Sequence, residues 1–254
     1  MTIRAIALNT FKEAVRDRIL YLIAFFGAGA IVLSRVLALL TVGDRLKIIK
    51  DVGLASLSIF GTLMAVLIGT GLVYKEIDKK TIFTLLSKPI SRAAFLVGKF
   101  AGLVLTLAVM LGLMSLLFLV ILFFHSFRIE AALLVAILYI FVELVLITAV
   151  AILFSCFSTP ILSSIFTLSF FLIGHASWGL KTLIVKIPPG LGRTLAKGLF
   201  LLLPDLEALN FKTEVVHGIA IPPAALLNGL LYAACYTAFA LALAVLVFRK
   251  RDFI

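Results

Sequence analysis

Long apolar runs alternate with short polar connections along the whole chain of 254 residues. Six of these runs reach the roughly 20 residues that a helix needs to cross a hydrocarbon core about 30 Å thick. They predict transmembrane helices near Ile19–Val42, Gly53–Tyr74, Phe100–Phe124, Ala131–Phe154, Pro160–Leu180 and Ala224–Phe248. Since a membrane span must satisfy its backbone hydrogen bonds internally, the pattern predicts an all-α integral membrane protein with a single domain over residues 1–254.

The segment before the first span, residues 1–18, has an amphipathic pattern. At 100° per residue one arc is apolar and the opposite arc carries polar and charged side chains. The apolar arc contains Ile3, Ala7, Leu8, Phe11, Ala14 and Val15. This arrangement predicts a helix over residues 3–15 that lies in the cytoplasmic membrane interface.

The longest connection on the opposite side of the membrane covers residues 181–222. Pro188, Pro189 and Gly190 interrupt it, and the apolar run Leu199–Leu203 follows. That run is too short to cross the bilayer, which favours a re-entrant or interfacial segment. Such a segment would either cap the outer end of a pathway or rest against lipid headgroups, and both interpretations stay open.

Composition identifies the solvent of this chain as lipid. Hydrophobic residues make up 63% and charged residues 14%, with a mean hydropathy of +1.26. A soluble domain has roughly 25% charged residues, so this surface carries too little charge to face water. The net charge of +11 therefore indicates contact with anionic lipids and not with nucleic acid. Lys and Arg are more frequent in residues 1–18, 75–99 and 249–254 than in the other connections, which predicts that both termini are cytoplasmic.

The fifth span has two unlike faces. One half of its helical wheel is small, polar or aromatic, and the other half is almost entirely aliphatic. The first half must meet protein or a water-containing cavity. Helix packing explains the serines and the glycine, whereas the aromatic residues and the histidine favour the lining of a pathway. The predicted lining residues are Ser163, Thr167, Phe170, Phe171, Gly174 and His175.

Small residues recur every four positions in the second span, at Gly61, Ala65 and Gly69. This spacing lets two backbones approach closely, so it predicts a helix–helix interface without identifying the partner helix.

Glu143 lies near the middle of the fourth span, where an unpaired carboxylate is costly. It is either a proton or cation site, or a structural carboxyl that is protonated or hydrogen-bonded. Tyr139, His175 and Arg35 are its candidate partners.

The sequence contains no motif that would supply catalysis. There is no glycine-rich phosphate loop with its lysine, no pair of histidines flanking a glutamate at zinc-ligand spacing, and no serine nucleophile elbow. We therefore predict no catalytic residue, no metal site and no enzymatic activity in this chain.

The connection over residues 75–99 resembles the first cytoplasmic loop of ABC-2 type transporter permeases. The resemblance is carried by Glu76, Thr81, Leu85, Leu86, Ser87, Pro89, Ser91, Arg92, Gly98 and Lys99. Lys80 departs from the family pattern, which usually has glycine at that position. Asn9–Arg18 resembles the interfacial helix of these permeases, Pro204 to Leu206 their external segment, and Phe248–Asp252 their basic tail. The similarity is greatest to the branch that includes the permease of nitrous oxide reductase maturation.

This resemblance implies a type V exporter-like permease in a prokaryotic plasma (inner) membrane. Two permease copies, identical or different, would form the pathway, and separate ABC ATPase subunits would bind the ATP and Mg, so this chain needs no cofactor of its own. The first cytoplasmic loop would then transmit the ATPase motion through Glu76, Thr81, Phe83, Leu85, Leu86, Pro89 and Arg92. The apolar members of this set need a protein groove to bury them outside the bilayer, which suits docking of a helix.

A different class of protein is the alternative: a self-sufficient ion-coupled secondary carrier that uses Glu143. Such carriers commonly contain two repeated halves, and this sequence contains no convincing internal repeat.

Overall fold

The computed structural model describes residues 3–41, 43–78, 91–127, 130–186, 190, 192–194 and 204–250. Within these residues the fold is entirely helical. The helices are α1 (Ile3–Val15), α2 (Arg18–Leu39), α3 (Arg45–Asp78), α4 (Arg92–Ser126), α5 (Ala131–Ser155), α6 (Pro160–Lys186), a 3-10 turn (Leu206–Leu209), α7 (Lys212–His217) and α8 (Pro223–Lys250). Six of them, α2 to α6 and α8, are long and apolar enough to cross a membrane, which confirms the predicted spans.

Helices α3 and α5 form the centre of the bundle. Helix α3 contacts α2, α4, α5 and α6, while α5 contacts α3, α4, α6 and α8. The small residues of α3 allow its close approach to α5, because a Cβ added at Gly61 would lie 2.7 Å from Leu144 and one at Gly69 would lie 2.8 Å from Ala151. The predicted helix–helix interface is therefore confirmed, and its partner is α5.

Two of the helices are much longer than the membrane is thick. Helix α3 has 34 residues and α4 has 35, so each is about 50 Å long against a core of about 30 Å. The predicted spans are shorter because hydropathy marks only the part of a helix that lipid surrounds, whereas backbone hydrogen bonding continues into polar sequence. The connection predicted over residues 75–99 is accordingly helical at both ends, up to Asp78 and from Arg92.

Helix α1 packs against another helix of the chain, which its amphipathic pattern did not predict. It packs along α4 through Ile6, Thr10 and Ala14, which are buried, while Leu8 on the predicted apolar arc stays exposed. Gly102 makes this contact possible, since an added Cβ there would lie 2.5 Å from the carbonyl oxygen of Ala7.

Candidate functional site

Polar and charged residues concentrate in two regions of the bundle. We call the first the terminal cluster, which consists of α1, residues 91–102 at the start of α4, and the last turn of α8. The second, the distal cluster, consists of Glu143, His175 and the segment 204–217 that follows α6. The start of α4 and the end of α8 lie together at one end of the bundle, whereas Glu143 and His175 lie near the middle of α5 and α6.

In the terminal cluster, side chains cap both helix ends. The Ser91 side chain accepts a hydrogen bond from the Ala94 backbone N–H at 3.1 Å and so caps the start of α4. Arg92 Nη1 donates to the carbonyl oxygens of Phe248 at 3.1 Å and Arg249 at 2.9 Å. These carbonyls belong to the last turn of α8, where helix geometry leaves them without intrahelical donors. Arg92 therefore fixes the start of α4 to the end of α8.

A buried lysine connects α4 to α1. Lys99 is 1% exposed, and its Nζ lies 3.5 Å from Glu13 Oε2 and 6.0 Å from the centre of the Phe95 ring. The Phe95 ring in turn stacks on Phe248 of α8, with ring centres 6.1 Å apart. Helices α1, α4 and α8 are thus joined by charge pairing and aromatic contact at the same end of the bundle.

The residues predicted to couple this chain to an ATPase fall mostly beyond what the structure describes. Thr81, Phe83, Leu85, Leu86 and Pro89 lie outside the described residues. Glu76 belongs to the last turns of α3, and the position of its side chain is likewise outside the described part. Arg92 alone of this set is fully described, with the α8 carbonyls as its partners. The coupling role of all these residues stays a prediction.

The two faces predicted for α6 are found in the structure. Ser163, Thr167, Gly174 and Ser177 are buried, Phe170, Phe171 and His175 are half-buried, and the aliphatic face that includes Ile161 and Leu172 is exposed. The polar face meets α3, α5 and the segment after α6.

Hydroxyl groups along the polar face of α6 form hydrogen bonds within the chain. Ser163 Oγ lies 2.6 Å from Ser158 Oγ, and Thr167 Oγ1 donates to the Ser163 carbonyl at 2.7 Å. Ser164 Oγ lies 2.9 Å from Thr70 Oγ1 of α3. These contacts hold α6 against the central helices, and the predicted pathway-lining role of this face stays a prediction.

Glu143 meets His175, one of its three candidate partners. Its side chain is 1% exposed, and Oε1 lies 3.5 Å from His175 Nε2. Tyr139 instead donates its hydroxyl to the Leu226 carbonyl of α8, and Arg35 is exposed on α2. Neither Glu143 Oε1 nor His175 Nε2 has a hydrogen-bond partner among the described residues. The pair is therefore a contact between two buried polar atoms that face each other across α5 and α6.

The segment 204–217 inserts into the bundle beside this pair. Leu206, Leu209 and Val215 are at most 1% exposed. Leu206 packs on Gly174 of α6 so closely that a Cβ on the glycine would lie 2.5 Å from Leu206 Cγ. Phe211 makes an edge-to-face contact with Tyr139 of α5 at 4.7 Å. The run Leu199–Leu203, which was predicted to be re-entrant or interfacial, lies outside the described residues.

Polar residues of the same segment join it to three spans. Lys212 Nζ donates to Ser58 Oγ of α3 at 3.0 Å, and Ser177 Oγ of α6 donates to Asp205 Oδ1 at 2.7 Å. The Asp205 backbone N–H donates to the Tyr232 hydroxyl of α8 at 2.9 Å. Glu207 accepts a hydrogen bond from the Asn210 amide at 3.0 Å. The charges of Glu207 and Lys212 influence both Glu143 and His175 electrostatically.

Glu207 and Lys212 were missed by the sequence analysis. They stand in a polar connection, where charged residues are ordinarily solvated. The available signal was the alternation of buried apolar positions, Leu206, Leu209 and Phe211, with these charges. No group of three or more potential metal ligands occurs in the part of the chain that the structure describes.

Comparison with known proteins gives one assignment. A family model described as ABC-2 family transporter protein matches residues 4–253. Proteins of this family are transmembrane components of transporters and not catalytic subunits. A search of curated proteins finds no match to the chain.

Proposed function

The chain belongs to the ABC-2 family of transporter proteins, and we propose that it is the permease subunit of an ABC exporter. The observation that carries this proposal is the family match over nearly the whole chain, together with six helices that are able to span a membrane. Within the family, the motif residues of the sequence favour the branch of the nitrous oxide reductase maturation permease.

The energy for transport would come from ABC ATPase subunits on separate chains, which bind ATP and Mg. The connection between α3 and α4 would dock on them. Its two ends belong to helices that extend well beyond the thickness of the bilayer, and Arg92 and Lys99 bind the start of α4 to α8 and α1. A push on this connection would therefore be transmitted to three helices together.

Two permease copies would enclose the pathway, as homodimer or heterodimer. This proposal is supported by the single chain itself, in which the polar face of α6 is used in packing and the aliphatic faces of α2 and α6 remain exposed. Opening of a pathway along Ser163, Thr167, Phe170, Phe171, Gly174 and His175 would then require α6 to move relative to α3 and α5.

Both termini would face the cytoplasm of a prokaryotic cell, in its plasma membrane. The orientation is tested with single cysteines at Lys12 on α1 and His217 on α7, both exposed, in a background without Cys156 and Cys235. We expect an impermeant maleimide to label Lys12→Cys only after the membrane is opened, and His217→Cys in intact cells. Labelling of both from the same side contradicts the six-span topology.

The second candidate, an ion-coupled carrier that needs no ATPase, is favoured by one observation. Glu143 is a buried carboxyl that faces His175 in the middle of the bundle, as a proton-coupling site would. A carrier of this kind would transport its substrate in liposomes that contain this chain alone.

Purification of the tagged chain in mild detergent tests the permease proposal. We expect an ATPase with a phosphate-binding loop to co-purify, and we expect its activity to depend on the presence of this chain. The matched control is an unrelated six-span protein with the same tag. Recovery of the chain alone, with transport intact in liposomes, would support the carrier instead.

A further inference from the structure

Glu143 and His175 form a buried contact. When Glu143 is ionised and the His175 ring is neutral with its proton on Nδ1, no hydrogen atom lies between Glu143 Oε1 and His175 Nε2. His175 Nδ1 lies 3.3 Å from the carbonyl oxygen of Phe171, one turn back on α6. A carbonyl only accepts hydrogen bonds, so this contact is favourable when Nδ1 carries the ring proton. In the neutral ring Nε2 then carries a lone pair and no hydrogen, and it lies 3.5 Å from Glu143 Oε1.

One proton between Glu143 Oε1 and His175 Nε2 resolves this conflict. With this proton, the pair has one of two forms. A carboxylic acid donates to the neutral ring in a neutral hydrogen bond, or an imidazolium donates to a carboxylate in a charge-assisted one. Without the proton, two acceptors face each other at 3.5 Å in a site where Glu143 is 1% exposed. With a second proton, the imidazolium still donates to the carbonyl oxygen of the carboxylic acid, but the buried pair then carries a net positive charge.

We propose that Glu143 and His175 form a binding site for one proton, and that the bound proton latches α6 to α5. Between the same two helices the rings of Phe154 and Phe166 also pack, with centres 5.5 Å apart. The ring retains 22% exposure of its side chain, so His175 is the member of the pair that reaches the surface of the bundle.

The charged groups around the pair have opposite signs, so the net charge of the site depends on whether this proton is bound. From the segment after α6, Glu207 and Lys212 act on the pair with opposite charges, and Lys212 is held by Ser58 of α3. Helix α8 contributes Tyr232, which is bound to the Asp205 backbone, and α5 itself contributes Tyr139, bound to α8.

The latch also joins the distal segment to the proton site. Gly174, which precedes His175, receives the side chain of Leu206, and Ser177 binds Asp205. A movement of α6 away from α5 would therefore strain or break its contacts with the segment 204–217, which is also joined to α3, α5 and α8. In an exporter, and this part rests on the proposed function, proton binding would hold α6 against α5 until the permease is driven open.

The single tryptophan of the chain provides the test. Trp178 lies three residues after His175 in the sequence of α6. The full chain in lipid nanodiscs is titrated between about pH 5 and pH 9 while the Trp178 fluorescence is recorded, for the wild type, Glu143→Gln, His175→Gln and His217→Gln. His217 is the matched control, because its Nδ1 makes the same contact with a carbonyl four residues back, Thr213 at 3.0 Å, while its side chain is exposed.

We expect a fluorescence transition in the wild type and in His217→Gln. It should be absent in His175→Gln. In Glu143→Gln the amide donates a permanent hydrogen to Nε2, so the transition should disappear or move by more than about one pH unit, a tenfold change in proton affinity. A wild-type profile that is unchanged in Glu143→Gln, or no transition in the wild type, overturns the proposal.

Histidine NMR supplies a second measurement that needs no variant at either site residue. In protein labelled with ¹⁵N-histidine, we expect the His175 ring to keep its proton on Nδ1 while Nε2 changes state with pH. A ring protonated at Nε2 and bare at Nδ1 over the whole range overturns the proposal. Neither measurement involves an ATPase or transport, so a negative result leaves the permease assignment untouched, and failure of ATPase co-purification leaves this test unaffected.

Discussion

Buried polar groups have hydrogen-bond or ion-pair partners in the terminal cluster, whereas three buried polar atoms of the distal cluster have no hydrogen-bond partner among the described residues. In the terminal cluster, the buried charge of Lys99 has the Glu13 carboxylate beside it, and the Arg92 guanidinium reaches two helix carbonyls. In the distal cluster, Glu143 Oε1 and His175 Nε2 face each other, and Glu214 Oε2 is also buried without a hydrogen-bond partner among the described residues.

We propose that this difference separates a region that transmits motion from a region that changes state. Satisfied charge pairs hold their elements in one arrangement, because separating them exposes a buried charge or leaves a carbonyl without its donor. A contact without a hydrogen between its two atoms is not held in this way, and a bound proton would favour the arrangement of α5 and α6 that binds it better. We propose that the terminal cluster is the rigid connection to the ATPase and that the distal cluster is the part that opens.

The largest effect should come from the connection between the rigid helices. Replacing Phe83 and Leu86 by Ala should remove most of the co-purifying ATPase, because buried apolar anchors carry about 2 kcal/mol or more each at an interface. Replacing Lys79 and Lys80 by Ala is the matched control, and exposed charges of this kind contribute about 0–1 kcal/mol. The readout is the ratio of ATPase to permease after purification. Equal ratios for the two double variants would mean that this connection does not dock on the ATPase.

The next effect tests how tightly α1 belongs to the terminal cluster. A side chain at Gly102 would overlap the Ala7 carbonyl and Thr10, at 2.5 Å and 2.6 Å from the new Cβ. Gly102→Val should therefore destabilise the fold by about 3 kcal/mol, through displacement of α1. Gly112→Val is the same change on the same helix, where an added Cβ has no atom within 4 Å.

The measurement for this pair is the thermal unfolding midpoint in detergent. We expect a clear decrease for Gly102→Val and little change for Gly112→Val. If both variants unfold at the same temperature, α1 contributes no rigidity to the terminal cluster. The proposed difference between the terminal and distal clusters would then be wrong.

The smallest effect concerns the distal segment. Ser177→Ala removes a hydrogen bond to Asp205, which is worth about 1 kcal/mol. Amide hydrogen exchange in residues 204–217 should accelerate roughly fivefold, since local opening of this segment becomes easier by that amount. Ser169→Ala, on the exposed side of α6, should leave exchange unchanged. Acceleration throughout the chain in Ser177→Ala would show that the segment does not open separately.

The sequence predicted the spans well because lipid imposes a strong compositional signal. It predicted the extensions of α3 and α4 poorly, since Arg45–Val52 and Arg92–Lys99 are polar enough to be taken as connections. A helix that continues out of the bilayer has no hydropathy signature, and the cap that begins α4 at Ser91 is seen in the structure. The packing of α1 on α4 could not be predicted from its apolar arc either, because the polar Thr10 and the small Gly102 form the contact.

The candidate site was predictable only in parts. Glu143 was identified by its position in a span, and His175 was one of three partners considered. The choice between them depends on the relative depth of α5 and α6, which no local pattern records. The contact between Lys212 and Ser58 joins residues 154 positions apart, so single-sequence reasoning had no access to it.

The central claim is that this membrane chain depends on a separate subunit for its energy. It is tested by the rate of ATP hydrolysis in proteoliposomes that contain the chain alone, the co-purified ATPase alone, and both together. We predict no hydrolysis above background for the chain alone, since the sequence has no phosphate-binding loop. The rate of ATP hydrolysis by the complex should exceed that of the isolated ATPase. The double variant Phe83→Ala, Leu86→Ala should lower it towards the rate of the isolated ATPase. Robust ATP turnover by the chain alone, or transport without any ATPase, would contradict the account.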